Sequence, residues 1–244
     1  MLTRNSTAYL GECLGALEAF AEVVIVDNGS TDDTIAIASG FSNVTVYEHP
    51  FIGFGPLKNI AVERASNDWI LSVDSDEIVT PELAREILRI TLDSNSVYSM
   101  ERDNYYCRRL IRGCGWQNDQ VQRLFNRKST RYDDKVVHEG LIMNENLKTE
   151  KLQGRMKHYP YDSASQLIQK MQHYSTLWAE ENLGRKKASP LKALFYGLVT
   201  FFKSYVIKSG WLYGYAGLLI SISNANGVFY KYVKLYEAKR PNQL

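Results

Sequence analysis

A doubly wound α/β fold is predicted by three features of this chain. Short apolar runs recur between stretches of helical spacing, so strands alternate with helices as they do in a parallel sheet wound on both faces. Two of those runs, residues 22–27 (EVVIVD) and 69–74 (WILSVD), end on aspartates, Asp27 and Asp74. A parallel sheet brings both to the carboxyl edge of its strands, where such folds bind ligands.

The elements follow in order. Leu10, Leu14, Leu17 and Phe20 recur at helical spacing behind Ser6, a suitable N-cap, and predict a helix over 6–20. The run 22–27 then stops at NGSTDDT, which reads as a buried strand, a turn and a helix over 32–39. Residues 44–48 form a second short strand, 56–65 a helix, 69–74 a third strand and 81–93 another helix. With 244 residues, 45% hydrophobic and 23% charged, the chain can bury one large domain or a domain with an appendage. It shows no low-complexity segment and no internal repeat. Cys13, Cys107 and Cys114 lack C-x-x-C spacing and follow no secretory signal, so neither a disulfide framework nor a zinc site is expected, and a reducing cytoplasm is.

The chemistry concentrates in Asp74-Ser75-Asp76-Glu77. Three carboxylates within four residues at a strand end are costly unless a cation neutralises them, and magnesium or manganese carrying phosphates does so with only one or two protein carboxylates. Asp74 and Asp76, two apart, lie on one side of extended backbone. The alternative is a solvated turn before a helix, with Thr80 as its cap ahead of Pro81 and Glu82. Neither a Walker A loop nor G-x-G-x-x-G occurs, so metal and basic side chains must hold any phosphates.

VDNGSTDDT, then KNIA, then DWILSVDSDE, in that order and spacing, resemble the glycosyltransferases of family 2 over roughly residues 1–140. The resemblance implies a GT-A fold, that is, a Rossmann-like, mostly parallel sheet that binds a nucleotide-diphospho-sugar, with Mg2+ or Mn2+ as cofactor. It places Asp27 at the nucleotide base, Asp74 by the ribose, Asp76 on the metal, and Lys58 and Asn59 near the nucleotide. Thr3, Arg4 and Asn5 match the end of the family's first strand beside the nucleotide; fewer apolar residues precede them here than in the family, so a shortened first strand and a weakened donor site are expected.

WQNDQVQRLFNR and VVHEGL resemble a narrower branch that builds the lipopolysaccharide or lipooligosaccharide core, including core β-1,4-glucosyltransferases. That branch implies inverting transfer of a hexose from a UDP-sugar, UDP-glucose favoured, to a lipid-linked core oligosaccharide. Inverting transfer needs one general base to take the acceptor's proton. Asp119 matches its position. Glu139 is the runner-up, or else a loop carboxylate paired with Arg123 or Lys135. His138 and His158 either face the diphosphate or acceptor or serve structure. Arg108, Arg109 and Arg112 suit an anionic lipid-linked acceptor, or form a solvated loop.

Residues 1–160 are expected to be the catalytic domain and 161–244 a helical extension. Leu167, Met171, Tyr174 and Trp178 predict a helix over 163–182. After Pro190, Lys192, Lys203 and Lys208 stand among aromatic and aliphatic residues, a mixture suited to a helix lying in a membrane interface; Gly, Ser and Asn dilute the stretch 209–230 too far for a confident span. A helical hairpin that caps a core or forms a dimer is the alternative. The protein is thus expected in the cytoplasm, peripheral on the inner face of the bacterial inner membrane, with no nucleic acid partner. Two other functions stay open: transfer to a polyprenyl phosphate, and a catalytically silent nucleotide-sugar-binding scaffold at the membrane.

Overall fold

The structure is a computed structural model that describes residues 1–136 and 139–239. The chain divides into two compact units. Met1–Asp103 and Asn118–His158 make the first; Asn104–Gln117 and the chain from Tyr159 onward make the second. Residues 104–117, expected in the catalytic domain, thus belong with the helical region.

The first unit opens with β1 (Leu2–Thr3), α1 (Thr7–Gly15), β2 (Val23–Asp27), α2 (Thr34–Ser39), β3 (Val44–Glu48) and α3 (Phe54–Arg64). The strands β1, β2 and β3 form a parallel sheet in that order, with Thr3 beside Asp27 and Asp27 beside Glu48. The helix expected to reach residue 20 ends at Gly15, because Leu17 and Phe20 turn the chain with i→i−3 bonds to Leu14 and Leu17.

Next come β4 (Trp69–Leu71), β5 (Glu77–Val79), α4 (Pro81–Arg89), β6 (Ser96–Tyr106), β7 (Arg109–Leu110), β8 (Asp119–Asn126) and β9 (Lys148–Tyr161). These strands pair in the order β4-β8-β6-β9-β5, with β7 on β6. The pairs β4·β8, β6·β8, β5·β9 and β6·β7 are antiparallel. Parallel pairing joins β1 to β2 and β2 to β3, and the second sheet carries the antiparallel pairs, so the unit combines both kinds of pairing. An apolar cavity of about 400 Å³ is lined by Val23 and Val24 of β2 and by Trp69 and Leu71 of β4, and the two sheets are not hydrogen-bonded to each other. The core of the unit gathers Leu10 and Leu14 of α1, Ile25 of β2, Leu83 of α4, Met100 of β6 and Met156 of β9. Helix α4 has the start its sequence encodes: Thr80 Oγ1 accepts from the Leu83 amide at 3.3 Å and Pro81 fills the first turn.

In the second unit, α5 (Ala164–Glu181), α6 (Pro190–Phe202), a π-helical turn (Lys203–Ile207), a 3-10 turn (Gly210–Tyr213) and α7 (Gly214–Ala238) follow one another. The side chains of Ser163 and Ser189 cap α5 and α6 by accepting from Gln166 and Lys192. Both helices pack on α7, where Tyr232 meets Trp178 of α5 at 5.1 Å and Tyr196 of α6 at 5.2 Å between ring centroids. A polar knot holds the turns: Ser204 Oγ and Asn224 Nδ2 both donate to the Cys114 carbonyl at 3.0 Å. Among the described residues no helix is long and apolar enough to cross a membrane, and all three cysteines are free thiols.

Candidate active site

The acidic tetrapeptide is a tight turn between β4 and β5. The Glu77 amide donates to the Asp74 carbonyl and the Asp74 amide to the Glu77 carboxylate, both at 3.0 Å. Sequence reasoning runs a strand through Asp74; the strand stops at Leu71, and Glu77 begins the next. The turn is fastened to α1, since the Cys13 thiol donates to the Ser75 carbonyl at 3.2 Å and the Ser75 and Ser6 hydroxyls meet at 2.9 Å.

A chain of ion pairs spreads from this turn. Arg123 of β8 donates from one nitrogen to Asp74 and Glu77, at 2.5 Å each. Lys58 of α3 pairs with Asp74 at 3.2 Å and with Glu139 at 2.8 Å. Arg102 of β6 pairs with Glu77 and with Asp119, both at 2.8 Å. The register explains the last contact, for Arg102 stands opposite Asp119 across β6 and β8. His158 of β9, opposite Glu77, brings Nε2 within 3.7 Å of Asp76.

Electrostatics hold these groups charged. Burial pushes the Asp74 carboxyl up, but Arg123 and Lys58 outweigh it and keep the group well below the usual carboxylate range. Glu77, wholly buried, follows the same logic: desolvation opposes ionisation, and Arg123 and Arg102 prevail, so its pKa is lowered. Burial of Lys58 works against its charge, yet Asp74 raises its pKa above the ordinary value. The cluster sets five carboxylates, Asp74, Asp76, Glu77, Asp119 and Glu139, against three cations, Lys58, Arg102 and Arg123. That excess of negative charge suits a divalent cation, and the Asp76 side chain, beside His158, is 36% exposed. Among the described residues no three metal-ligating side chains converge. Asp76 and the neighbouring His158 ring are side chains that could hold a cation whose remaining shell comes from phosphate and water.

Asp27, at the end of β2, is held by the loop that follows it. It is fully buried and accepts from Thr3 Oγ1 at 2.8 Å, from the amides of Gly29 and Ser30 at 3.0 and 2.8 Å, and from Ser30 Oγ at 2.5 Å. Burial raises its pKa, and these donors more than compensate, leaving it lowered. The carboxylate thus shapes the loop after β2, which turns back at Gly29, where φ is +93°. Asn5 completes the loop by accepting from the Thr31 amide at 2.8 Å, while Arg4 is exposed beside it. Asn59 likewise serves the chain, exchanging two 3.0 Å bonds with the backbone of Tyr132.

Sequence reasoning brings Lys58, Asp74, Asp119 and Glu139 to the site, and all four lie in one network. Glu139 pairs with Lys58, in place of the expected Arg123 or Lys135. His138 lies outside the described residues. Arg108, Arg109 and Arg112 belong to the second unit, where Arg109 donates to the Tyr213 carbonyl at 3.0 Å. Arg102 was not foreseen, nor was the pairing of Arg123 with Asp74. The alternation Asp119-x-x-x-Arg123 on one strand face was the available signal.

The sequence profile of glycosyl transferase family 2 matches residues 1–144. This chain belongs to that family. Its α/β architecture, with parallel and antiparallel strand pairs and C-terminal helices, is GT-A-like. Among relatives of the family 2 chain, the lipopolysaccharide core biosynthesis glycosyltransferase LpsC of Rhizobium meliloti is 29% identical over 98% of this chain and 92% of that protein. An uncharacterised glycosyltransferase of Rickettsia prowazekii is 27% identical over 100% of this chain and 87% of its own length. Staphylococcus aureus TarS 1-349, solved in complex with UDP-GlcNAc, is similar at 12% identity with a TM-score of 0.45, over 98% of this chain and 90% of that one.

Proposed function

We propose that this glycosyltransferase is an inverting, metal-dependent enzyme that moves a hexose, glucose by preference, from a UDP-sugar to a lipid-linked inner-core oligosaccharide of lipopolysaccharide. The observation that carries the reading is the Asp74–Glu77 turn, whose Asp74 and Glu77 carboxylates meet Lys58, Arg102 and Arg123 at the end of β4 in a network that also takes in Asp119 and Glu139. The core acceptor is supported by the near full-length similarity to LpsC.

Each residue then has a task. Asp76, with His158 beside it, would hold Mg2+ or Mn2+, which when bound neutralises charge on the departing diphosphate. Lys58 and Arg123 fix the Asp74 carboxylate for the ribose. Thr3, Asn5 and Asp27 shape the loop that receives the base, with Arg4 beside it and Asn59 steadying the Tyr132 backbone. Asp119, oriented by Arg102, takes the proton from the acceptor hydroxyl while that oxygen attacks the anomeric carbon. The new glycosidic C–O bond forms as the bond to the nucleotide diphosphate breaks, and its electron pair leaves with the diphosphate. Glu139 is held by Lys58 and is the second candidate for the base.

A panel of nucleotide sugars tested with purified protein, with and without Mg2+ or Mn2+, checks the reading. The expected result is metal-dependent hydrolysis of UDP-glucose above other donors, and transfer to inner-core acceptor. No turnover of any donor would leave a binding scaffold. A lipid product cleaved by mild acid would redirect the acceptor to a polyprenyl phosphate.

A further inference from the structure

The apolar stripe of α6 faces the wrong way for a helix whose purpose is to fill a core. Leu191, Leu194, Phe195, Leu198, Val199 and Phe202 recur at i, i+3, i+4, i+7, i+8 and i+11, the pattern that ordinarily points inward. Here all six are exposed, Leu191 to 80% and Phe195 to 62%. The helix packs instead through small residues, with Ala193 and Gly197 buried, and a Cβ on Gly197 would lie 3.4 Å from Phe229 of α7. The exposed apolar surface continues past the helix through Val206 and Ile207 of the π-helical turn to Trp211 and Leu212 of the 3-10 turn. Soluble proteins rarely leave so many large apolar side chains contiguous in sequence and open to water unless a partner covers them.

Charge identifies that partner. Between Asn182 and Tyr236 the chain carries eight Lys and Arg and no Asp or Glu. Arg185, Lys186 and Lys187 are exposed ahead of α6 and Lys203 is exposed at its end, while residues 193–202 hold no charge. A second copy seated on this surface would oppose like charges. An anionic surface with an apolar interior satisfies both features at once. At 13 residues α6 is about 20 Å long, too short to cross a bilayer whose hydrocarbon is about 30 Å thick, so it would lie in the plane of the interface.

We infer that the outward face of α6 and the two turns after it is a monotopic docking surface for an anionic phospholipid bilayer, with the apolar stripe inserted and the flanking Lys and Arg at the headgroups. This assignment goes beyond the donor chemistry of the first unit and does not depend on it. Each Lys or Arg near an anionic surface is worth roughly a factor of five in partitioning, so three of them give about a hundredfold preference over neutral lipid at low salt.

Flotation of the full chain with vesicles of phosphatidylglycerol and phosphatidylethanolamine, against phosphatidylcholine alone, tests the inference. The wild type is expected to float with the anionic vesicles about a hundredfold more tightly, and the triple variant Leu194→Glu, Phe195→Glu, Leu198→Glu to stay in solution with an unchanged thermal midpoint. Equal binding to both lipids, or flotation of the triple variant, overturns it. A soluble dimer that the triple variant dissociates, without vesicle binding, gives the face to a second copy. Trp211→Phe offers a readout without charge reversal: brominated lipid should quench the wild type's tryptophan emission and quench the variant's less, and equal quenching refutes insertion at the 3-10 turn.

Discussion

Glu77, Lys58 and Arg123 in the first unit are charged and buried, whereas Leu191, Phe195 and Ile207 in the second are large, apolar and exposed. Each region departs from the usual partition of side chains, and in opposite senses. The first withstands the departure because Glu77, Lys58 and Arg123 each have an opposite charge within ion-pair distance. Among the described residues of the second unit, Leu191, Phe195 and Ile207 stay open to solvent. Buried charge is a cost already offset inside the fold; exposed apolar surface is a cost that only something outside the chain can offset.

The comparison breaks most severely at Arg123. Arg123→Ala leaves Asp74 and Glu77 without their shared donor, and removal of one partner from a buried ion pair costs about 3–5 kcal/mol. Urea unfolding should show that loss; a shift under about 1 kcal/mol would mean that the network is not holding the turn. Asp76→Ala should separate function from folding. Turnover should fall at least about a hundredfold, the scale of losing one preorganised electrostatic stabiliser, while the unfolding midpoint stays near wild type. Wild-type rates in metal-replete buffer would remove Asp76 from the proposed site.

Asp119→Asn keeps the hydrogen bonds to Arg102 available but cannot accept a proton, so transfer should fall by about a hundredfold with UDP affinity nearly unchanged. Glu139→Gln should cost less if Glu139 only balances Lys58; a dead Glu139→Gln beside a near-normal Asp119→Asn reverses the two assignments.

Acid should weaken the first unit in a defined direction. Asp74 and Glu77 have folded pKa values below their unfolded ones, so the stability they contribute is present above about pH 4.5 and is lost as pH falls through the lowered values. Their contribution to the urea midpoint should be flat from pH 7 to pH 5 and decline below that. Arg123→Ala, which removes the main opposing charge, should flatten the acid limb; an unaltered limb would put the acid sensitivity elsewhere. The smallest effect belongs to the second unit. Leu198→Ser, on the exposed stripe, should change solution stability by no more than about 0.5 kcal/mol, since no buried area is lost. A larger loss would show that the stripe is covered in solution.

Several of these features were legible along the chain because they depend on near neighbours. The strand at 23–27, the cap at Thr80 and the acidic turn are written in residues a few positions apart. The gathering of Lys58, Asp74, Asp119 and Glu139 came instead from what the family resemblance implies, and the structure joins all four in one network. The helical period of α6 was visible too, as was the mixture of Lys with aromatic residues around it.

What tertiary structure alone decided is the partner of each side chain. Arg123 stands 49 residues from Asp74 in sequence, and Arg102 17 from Asp119; they meet only once β8 is threaded between β4 and β6. The same holds for Asp27, whose acidic position at a strand end says nothing of the four donors that enclose it. A periodic pattern states that a helix has an apolar face, but which face meets protein depends on the neighbour's shape: in α6, Ala193 and Gly197 allow α7 to approach closely, and the larger side chains are left outside. Propensity and capping act over a turn or two of chain, while ion pairing and burial act across space, and the site of this protein is made of the second kind.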